Sequence, residues 1–208
     1  MSHIDNNDST TTTTDDISQC PVSEEARLEW LKQNKSGVQN DNNLLSTERE
    51  ISGIPRTGEK GTNWIYPSEQ QFYDAMKRKK INSHGNEFDM KTVIPIHNNI
   101  NERVWKYIEQ WENLTSNDKL SLTSFKGDSK KITPRAWIRH YIFGMDLPFD
   151  RHDWIVNHSN KDNNSSYNIN YVIDFYMNQS NNNIYLDVRP KINNYQGIKR
   201  RILKILGY

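Results

Sequence analysis

Six histidines occur in the chain, and three of them, His97, His140 and His152, fall in segments whose apolar patterning predicts order. His3 belongs to a polar tail, and His84 and His158 to polar stretches read as loops. No pair has a zinc spacing such as His-x-x-x-His around an acidic residue, which argues against a standard zinc site. His97 is the strongest candidate. It follows the apolar run Val93-Ile94-Pro95-Ile96 and precedes a predicted helix start, where the backbone is held while a side chain can face a cleft. An imidazole there serves as a metal ligand or as a hydrogen-bonded structural residue.

The other candidates also have two readings each. Glu102, three residues after a predicted N-cap at Asn99, sits where a carboxylate reaches back to the cap's N–H, which by itself explains it. In an extended segment Trp64 and Tyr66 project to the same side, either lining a flat apolar ligand or packing as core. Phe149-Asp150-Arg151-His152-Asp153-Trp154 is dense in charge just before a strand, as in a hydrogen-bonded network or an anion contact. Arg151 and Arg189 suit a carboxylate, from Asp153 or Asp187 or from a ligand. Cys20-Pro21-Val22 offers a thiolate followed by proline, a pattern through which sulfur can bind haem iron. Cys20 is the single cysteine, so no internal disulfide exists, and without Cys-x-x-Cys-His the chain cannot hold haem as a c-type cytochrome does.

The elements that must position these residues follow from periodicity. Residues 1–43 are rich in Asn, Asp, Ser and Thr and read as a disordered tail, with a short helix possible over Glu24 to Gln33. The folded domain is expected over 44–208. It opens with an extended lead-in through Ile51, Ile54 and Pro55 to Trp64-Ile65-Tyr66-Pro67. Ser68 with Gln71 forms a capping-box pattern that predicts a helix from Glu69 to about Lys79. A helix of about 13 residues is predicted from Asn99, with Ile100, Val104, Ile108 and Trp111 as its stripe. A third has Thr133 as N-cap, Pro134 at its first position and Trp137, Ile138, Tyr141 and Ile142 as its apolar side.

Beyond Pro148, three β-branched and aromatic runs starting at Trp154, Tyr171 and Ile184 predict antiparallel strands, with the Asn-rich stretches at about 157–170 and 177–183 read as exposed loops. The tail from Asn194 alternates Ile198, Ile202 and Ile205 with Lys199, Arg200 and Lys204. It predicts a helix docked on the domain with its basic side in water, the alternative being a membrane-surface helix. The fold class is α+β, a single domain of several helices with a small antiparallel sheet. A net charge of +1 and the lack of any RNA or DNA motif argue against a nucleic-acid partner. No apolar run approaches the roughly 20 residues that cross a bilayer, and no Arg-rich presequence is visible, so composition alone points to the cytosol.

Several segments in one order give a further reading. Leu45-Ser46-Thr47-Glu48-Arg49-Glu50 with Ile54-Pro55-Arg56, Trp64-Ile65-Tyr66-Pro67-Ser68-Glu69-Gln70, Ile96-His97-Asn98 with Asn101-Glu102, Leu147 through Ile155, Tyr171-Val172-Ile173-Asp174 and Leu186 through Pro190 resemble the holocytochrome c synthase (cytochrome c haem lyase) family. The resemblance spans about residues 44–190. It implies an enzyme that binds haem b and joins its vinyl groups, through thioether bonds, to the Cys-x-x-Cys-His cysteines of apocytochrome c or c1. It implies His97 as the axial ligand to haem iron, with Glu102, Trp64 and Tyr66 in or near the haem pocket. Arg151 and His152 fall in a segment of the resemblance, His152 with a role open between structure and haem handling. Cys20-Pro21-Val22 matches a haem-regulatory motif and implies contact or regulation. The family also implies residence in the mitochondrial intermembrane space, peripherally on the inner membrane, with internal targeting information. The rivals are a haem chaperone or sensor without bond-forming activity, and an interaction domain whose histidines and aromatics are only core.

Overall fold

The computed structural model describes residues 45–58, 61–78, 87–112, 118–128, 131–160, 165–178 and 183–207. The Cys20-Pro21-Val22 motif and the Glu24 to Gln33 segment lie outside them. Strands β1 (Ile51–Pro55) and β2 (Asn63–Ile65) pair as an antiparallel ribbon. Helices α1 (Glu69–Arg78) and α2 (Glu87–Glu112) follow, then β3 (Asp118–Gly127), α3 (Pro134–Phe143), β4 (Asp150–Asn160), β5 (Ser165–Met177), β6 (Ile184–Pro190) and α4 (Tyr195–Ile205). The last four strands form an antiparallel sheet in the order β3-β4-β5-β6, so the α+β expectation holds.

Local signals were read correctly where a side chain closes a helix end. Ser68 N–H donates to Gln71 Oε1 at 3.1 Å and Gln71 N–H to Ser68 Oγ at 3.3 Å, the reciprocal capping box. Thr133 accepts from Ala136 N–H ahead of Pro134, and Gly144 ends α3 at φ 65°, a left-handed conformation that favours glycine.

Helix α2 departs from expectation, because it does not begin at Asn99 but runs from Glu87 straight through Pro95. Proline removes one i→i−4 hydrogen bond and disfavours helix interiors. Packing outweighs that cost: Met90, Val93 and Ile94 bury against Phe72 and Met76 of α1, while Ile100, Val104 and Ile108 bury against Trp154, Val156 and Tyr171 of the sheet. Each half of the helix has its own apolar surface to cover.

The sheet has four strands where three were expected. In β3, Leu120 and Leu122 alternate with polar residues that hide the pattern among Ser, Thr and Lys. Of the stretch at 157–170, the described residues 157–160 and 165–170 are not loop but strand, the far end of a long antiparallel pair that reaches Asn160↔Ser165. Val156 and His158 turn inward while Asn157, facing out, donates to Ser166 Oγ and Asn168 Oδ1, each at 3.0 Å. Polar cross-strand pairs hold a strand as apolar ones do. A bulge between Leu122 and Ser124 frees the Leu122 carbonyl, which accepts from Thr57 N–H and from Trp64 Nε1, both at 3.1 Å, and so ties the ribbon to the sheet.

Candidate functional site

His97 lies on α2 two residues past Pro95, on the side that meets α1 and the ribbon. Phe72 of α1 approaches it edge-on at 5.5 Å between ring centroids. Its Nδ1 is 3.4 Å from the side-chain amide of Asn101, one turn further along. Its Nε2 is buried and has no hydrogen-bond partner among the described residues. A buried polar atom left bare costs about 1–3 kcal/mol, so it marks a place where a ligand is expected. Turning the Asn101 amide over lets its oxygen accept from Nδ1–H, which fixes the tautomer that leaves the Nε2 lone pair free for a metal.

Burial, reinforced by the nearby His152, drives the His97 pKa down to about 3, so the ring is neutral across the physiological range. The unfolded chain takes up this proton near the ordinary 6.5, the folded one only near 3. Stability from this group is therefore complete above pH 6.5 and falls as pH drops toward 3, by about 1.4 kcal/mol per pH unit. In denaturant titrations over that window, His97→Leu is expected to show a stability slope shallower by one proton than the wild type. Equal slopes would mean that burial does not hold His97 neutral.

Trp64 and Tyr66 border the same small cavity as His97, with Ile54, Phe125 and Trp154 completing the apolar wall. The expectation that they share a side is met. Trp64 stacks edge-on against Phe125 at 5.3 Å, and Arg56 lies over its outer face at 4.9 Å. The cavity volume is ≈ 50 Å³, far below the about 300–1,000 Å³ typical of ligand sites.

Glu102 has a different task from the one its spacing suggested. With α2 already helical at Asn99 there is no cap for it to serve. Its carboxylate instead accepts from Ser52 Oγ at 2.6 Å, Gly53 N–H at 3.0 Å and the Tyr66 hydroxyl at 2.9 Å, clamping both ribbon strands to the helix. A Cβ at Gly53 would stand 2.8 Å from Glu102 Oε2, so only glycine lets the strand approach this closely. Burial, aided by the Glu102 carboxylate, pushes the Tyr66 phenol well above its ordinary value and keeps it a neutral donor.

The remaining candidates are distributed around this centre. His152 is buried on the same sheet face as Trp154, edge-on to Phe175 at 5.0 Å. Its Nε2 is 3.2 Å from Asp150 Oδ2, but neither atom is aligned for a hydrogen bond. Arg151, the next residue along β4, points to the opposite face, where it meets Asp153 at 3.0 Å. It does not border the His97 cavity. Arg189 pairs with Asp174 at 2.5 Å and Asp187 at 2.8 Å, the structural salt-bridging expected of it. His140 donates from Nδ1–H to the Met145 carbonyl in the loop after α3, at 2.7 Å.

Sequence reasoning missed His158. Its Nδ1 is 2.8 Å from Glu112 Oε2 and its Nε2 3.1 Å from Asp118 Oδ1, in a buried cluster with Tyr171 and Arg200. Its alternation with Val156 was the available signal.

The family model described as "Cytochrome c/c1 heme lyase" matches residues 3–205. A Schizosaccharomyces pombe protein named "Putative holocytochrome-c1 synthase" is 45% identical, over 84% of this chain and 85% of its own length. Proteins named "Holocytochrome c-type synthase" from Bos taurus and Homo sapiens are each 40% identical over 76% of this chain. The match spans 58% and 60% of those two proteins. No solved structure matches. With the family model covering nearly the whole chain and relatives 40–45% identical over most of it, the chain belongs to the cytochrome c/c1 heme lyase family.

Proposed function

We propose that the chain is a holocytochrome c synthase, which holds haem b through His97 and joins its two vinyl groups to the Cys-x-x-Cys-His cysteines of apocytochrome c or c1. The observation that carries this reading is the buried, neutral His97 whose Nε2 has no partner among the described residues. Each bond forms by addition of a thiol across a vinyl double bond: sulfur takes one carbon, the thiol hydrogen the other, and no net oxidation occurs. His97 supplies one axial ligand and the apocytochrome's histidine the other. Fixing the porphyrin between two proteins places thiols beside vinyls, and removing that motional freedom is a large part of the catalysis.

A cavity of ≈ 50 Å³ admits haem only when the ribbon swings away from α2. Trp64 and Tyr66 then become one wall of the opened site and His97 the other. The Glu102 hydrogen bonds to Ser52, Gly53 and Tyr66 hold the closed form, so Glu102 is a positioning residue whose partners must part and rejoin. Burial, reinforced by the nearby His152, keeps the His97 ring neutral. Arg151 contributes from the far face of the sheet, through the charge network of β4, and Cys20-Pro21-Val22 serves haem contact or regulation. The site of action is the mitochondrial intermembrane space, with peripheral contact to the inner membrane. No helix among the described residues is long and apolar enough to cross a membrane.

The test is co-expression with an apocytochrome c in a bacterial host that lacks its own maturation system, scoring haem that stays with the cytochrome through denaturing electrophoresis. Covalent haem is the expected result. Haem bound to the synthase with no transfer would overturn the bond-forming role and leave a chaperone.

A further inference from the structure

The face of the molecule remote from His97 carries its cations and its apolar residues in an unusual arrangement. A groove of ≈ 720 Å³ runs between α3 and α4 over the outer face of the sheet. Six cationic side chains line it: Arg135, Arg139, Arg151, Arg189, Lys191 and Arg201. Only three carboxylates among the described residues pair with them, Asp153, Asp174 and Asp187. Positive charge is left over in a chain whose total is only +1. Arg201 donates to the Pro190 carbonyl at 2.8 Å and forms no ion pair with a carboxylate among the described residues. Burial, with Arg189 and Arg135 nearby, lowers its pKa. The Nε of Arg151 is buried without a hydrogen-bond partner among the described residues.

The helices that flank the groove turn their apolar sides outward. On α3, Ile138 and Ile142 continue the row that carries Arg135 and Arg139, and Trp137, Ile142 and Phe143 are 51%, 64% and 69% exposed. On α4 the amphipathic order is inverted with respect to the expected docking. Arg200 points inward to Glu112 and Lys204 lies over the Trp111 ring, while Ile202 and Ile205 are 51% and 84% exposed. Exposed apolar area of this extent marks an interaction surface.

We infer that α3 and α4 form a bilayer-docking face whose groove takes the phosphodiester headgroup of an anionic lipid, with the apolar rows entering the acyl boundary. The inference rests on the peripheral membrane contact proposed above and gives it a location. Surplus cations at the floor and apolar side chains at the rim match the order of charge and hydrocarbon in a lipid leaflet. A soluble anion satisfies the floor but leaves the rim in water.

The experiment is flotation of the full chain with phosphatidylcholine vesicles, with and without about one-fifth phosphatidylglycerol. The wild type is expected to float with the anionic vesicles. Arg135→Gln with Arg201→Gln should lower the partition coefficient about 25-fold, since each surface cation is worth about fivefold. Asp187 keeps Arg139 and Arg189 in that variant. Ile142→Gln with Phe143→Gln changes exposed positions only, so it folds whatever the arginine pair does, and should lower partition at least tenfold. Wild type that fails to float, variants that float like wild type, or complete release by millimolar glycerol phosphate would each overturn the inference. Covalent haem transfer measured in detergent solution is expected to survive in both double variants. Loss of flotation with transfer intact in the wild type defeats the docking face alone, whereas loss of transfer in the wild type defeats the synthase reading.

Discussion

His97→Ala is expected to reduce covalent haem on co-expressed apocytochrome c by on the order of a hundredfold or more, with soluble protein retained. Residues that merely orient a metal ligand are worth about 10–100-fold, and loss of the ligand itself exceeds that. The fold should survive, because the truncation removes a buried ring whose Nε2 has no partner among the described residues, which offsets part of the about 2–5 kcal/mol that such a cavity costs. A purely structural role for His97 predicts a different outcome: reduced soluble protein in proportion to reduced transfer. Free imidazole supplied in the medium separates the two, since it can occupy the vacated space and ligate iron. Partial recovery of transfer supports ligation, and undiminished transfer by His97→Ala without imidazole sinks it.

Glu112→Ala should be among the most damaging single changes to stability. The Glu112 carboxylate is fully buried at the last residue of α2. It accepts from the Tyr171 hydroxyl, from His158 at 2.8 Å and from Arg200 at 2.9 Å. Burial first, and then the Glu112 charge, push the Tyr171 phenol far above its ordinary value. Removing the acceptor leaves the buried Arg200 guanidinium without its counter-charge and His158, 3.4 Å from it, with Asp118 as its remaining carboxylate partner. Breaking a buried pair from one side costs about 3–5 kcal/mol. For a domain of this size that lowers Tm by on the order of 10 °C. Arg200→Ala added to Glu112→Ala should cost much less than the sum of the two, because the second change removes the stranded cation. Additive losses in thermal melts would show that the cluster is not coupled.

How much of this was legible depends on whether the deciding interaction is local. The caps of α1 and α3 are closed by residues three positions apart, so Ser68-Gln71 and Thr133-Ala136 could be read directly. The pairing of Trp64 with Tyr66 follows from extended backbone alone. Pro95 misled because its cost is local while the two apolar surfaces that outweigh it come from α1 and from the sheet. Glu102 misled for the same reason: its partners Ser52 and Tyr66 are 50 and 36 residues away. Asn-rich β-structure hid behind composition, because a ladder such as Asn157 to Asn168 depends on register rather than hydropathy. The inversion of α4 could not be read from its own pattern, since it is Glu112, 88 residues earlier, that turns Arg200 inward.

The small volume behind Trp64 has a kinetic meaning. In the haem-loading role proposed above, a site closed by the ribbon is competent only in the fraction of molecules in which Glu102 has released it, and the apparent dissociation constant is the intrinsic one divided by that fraction. A ribbon open about 1% of the time therefore weakens haem affinity about a hundredfold, while the same preference for closure helps expel the product. Haem uptake then saturates at the opening rate instead of rising with concentration, and the strength of the Glu102 clamp sets the balance between loading and turnover.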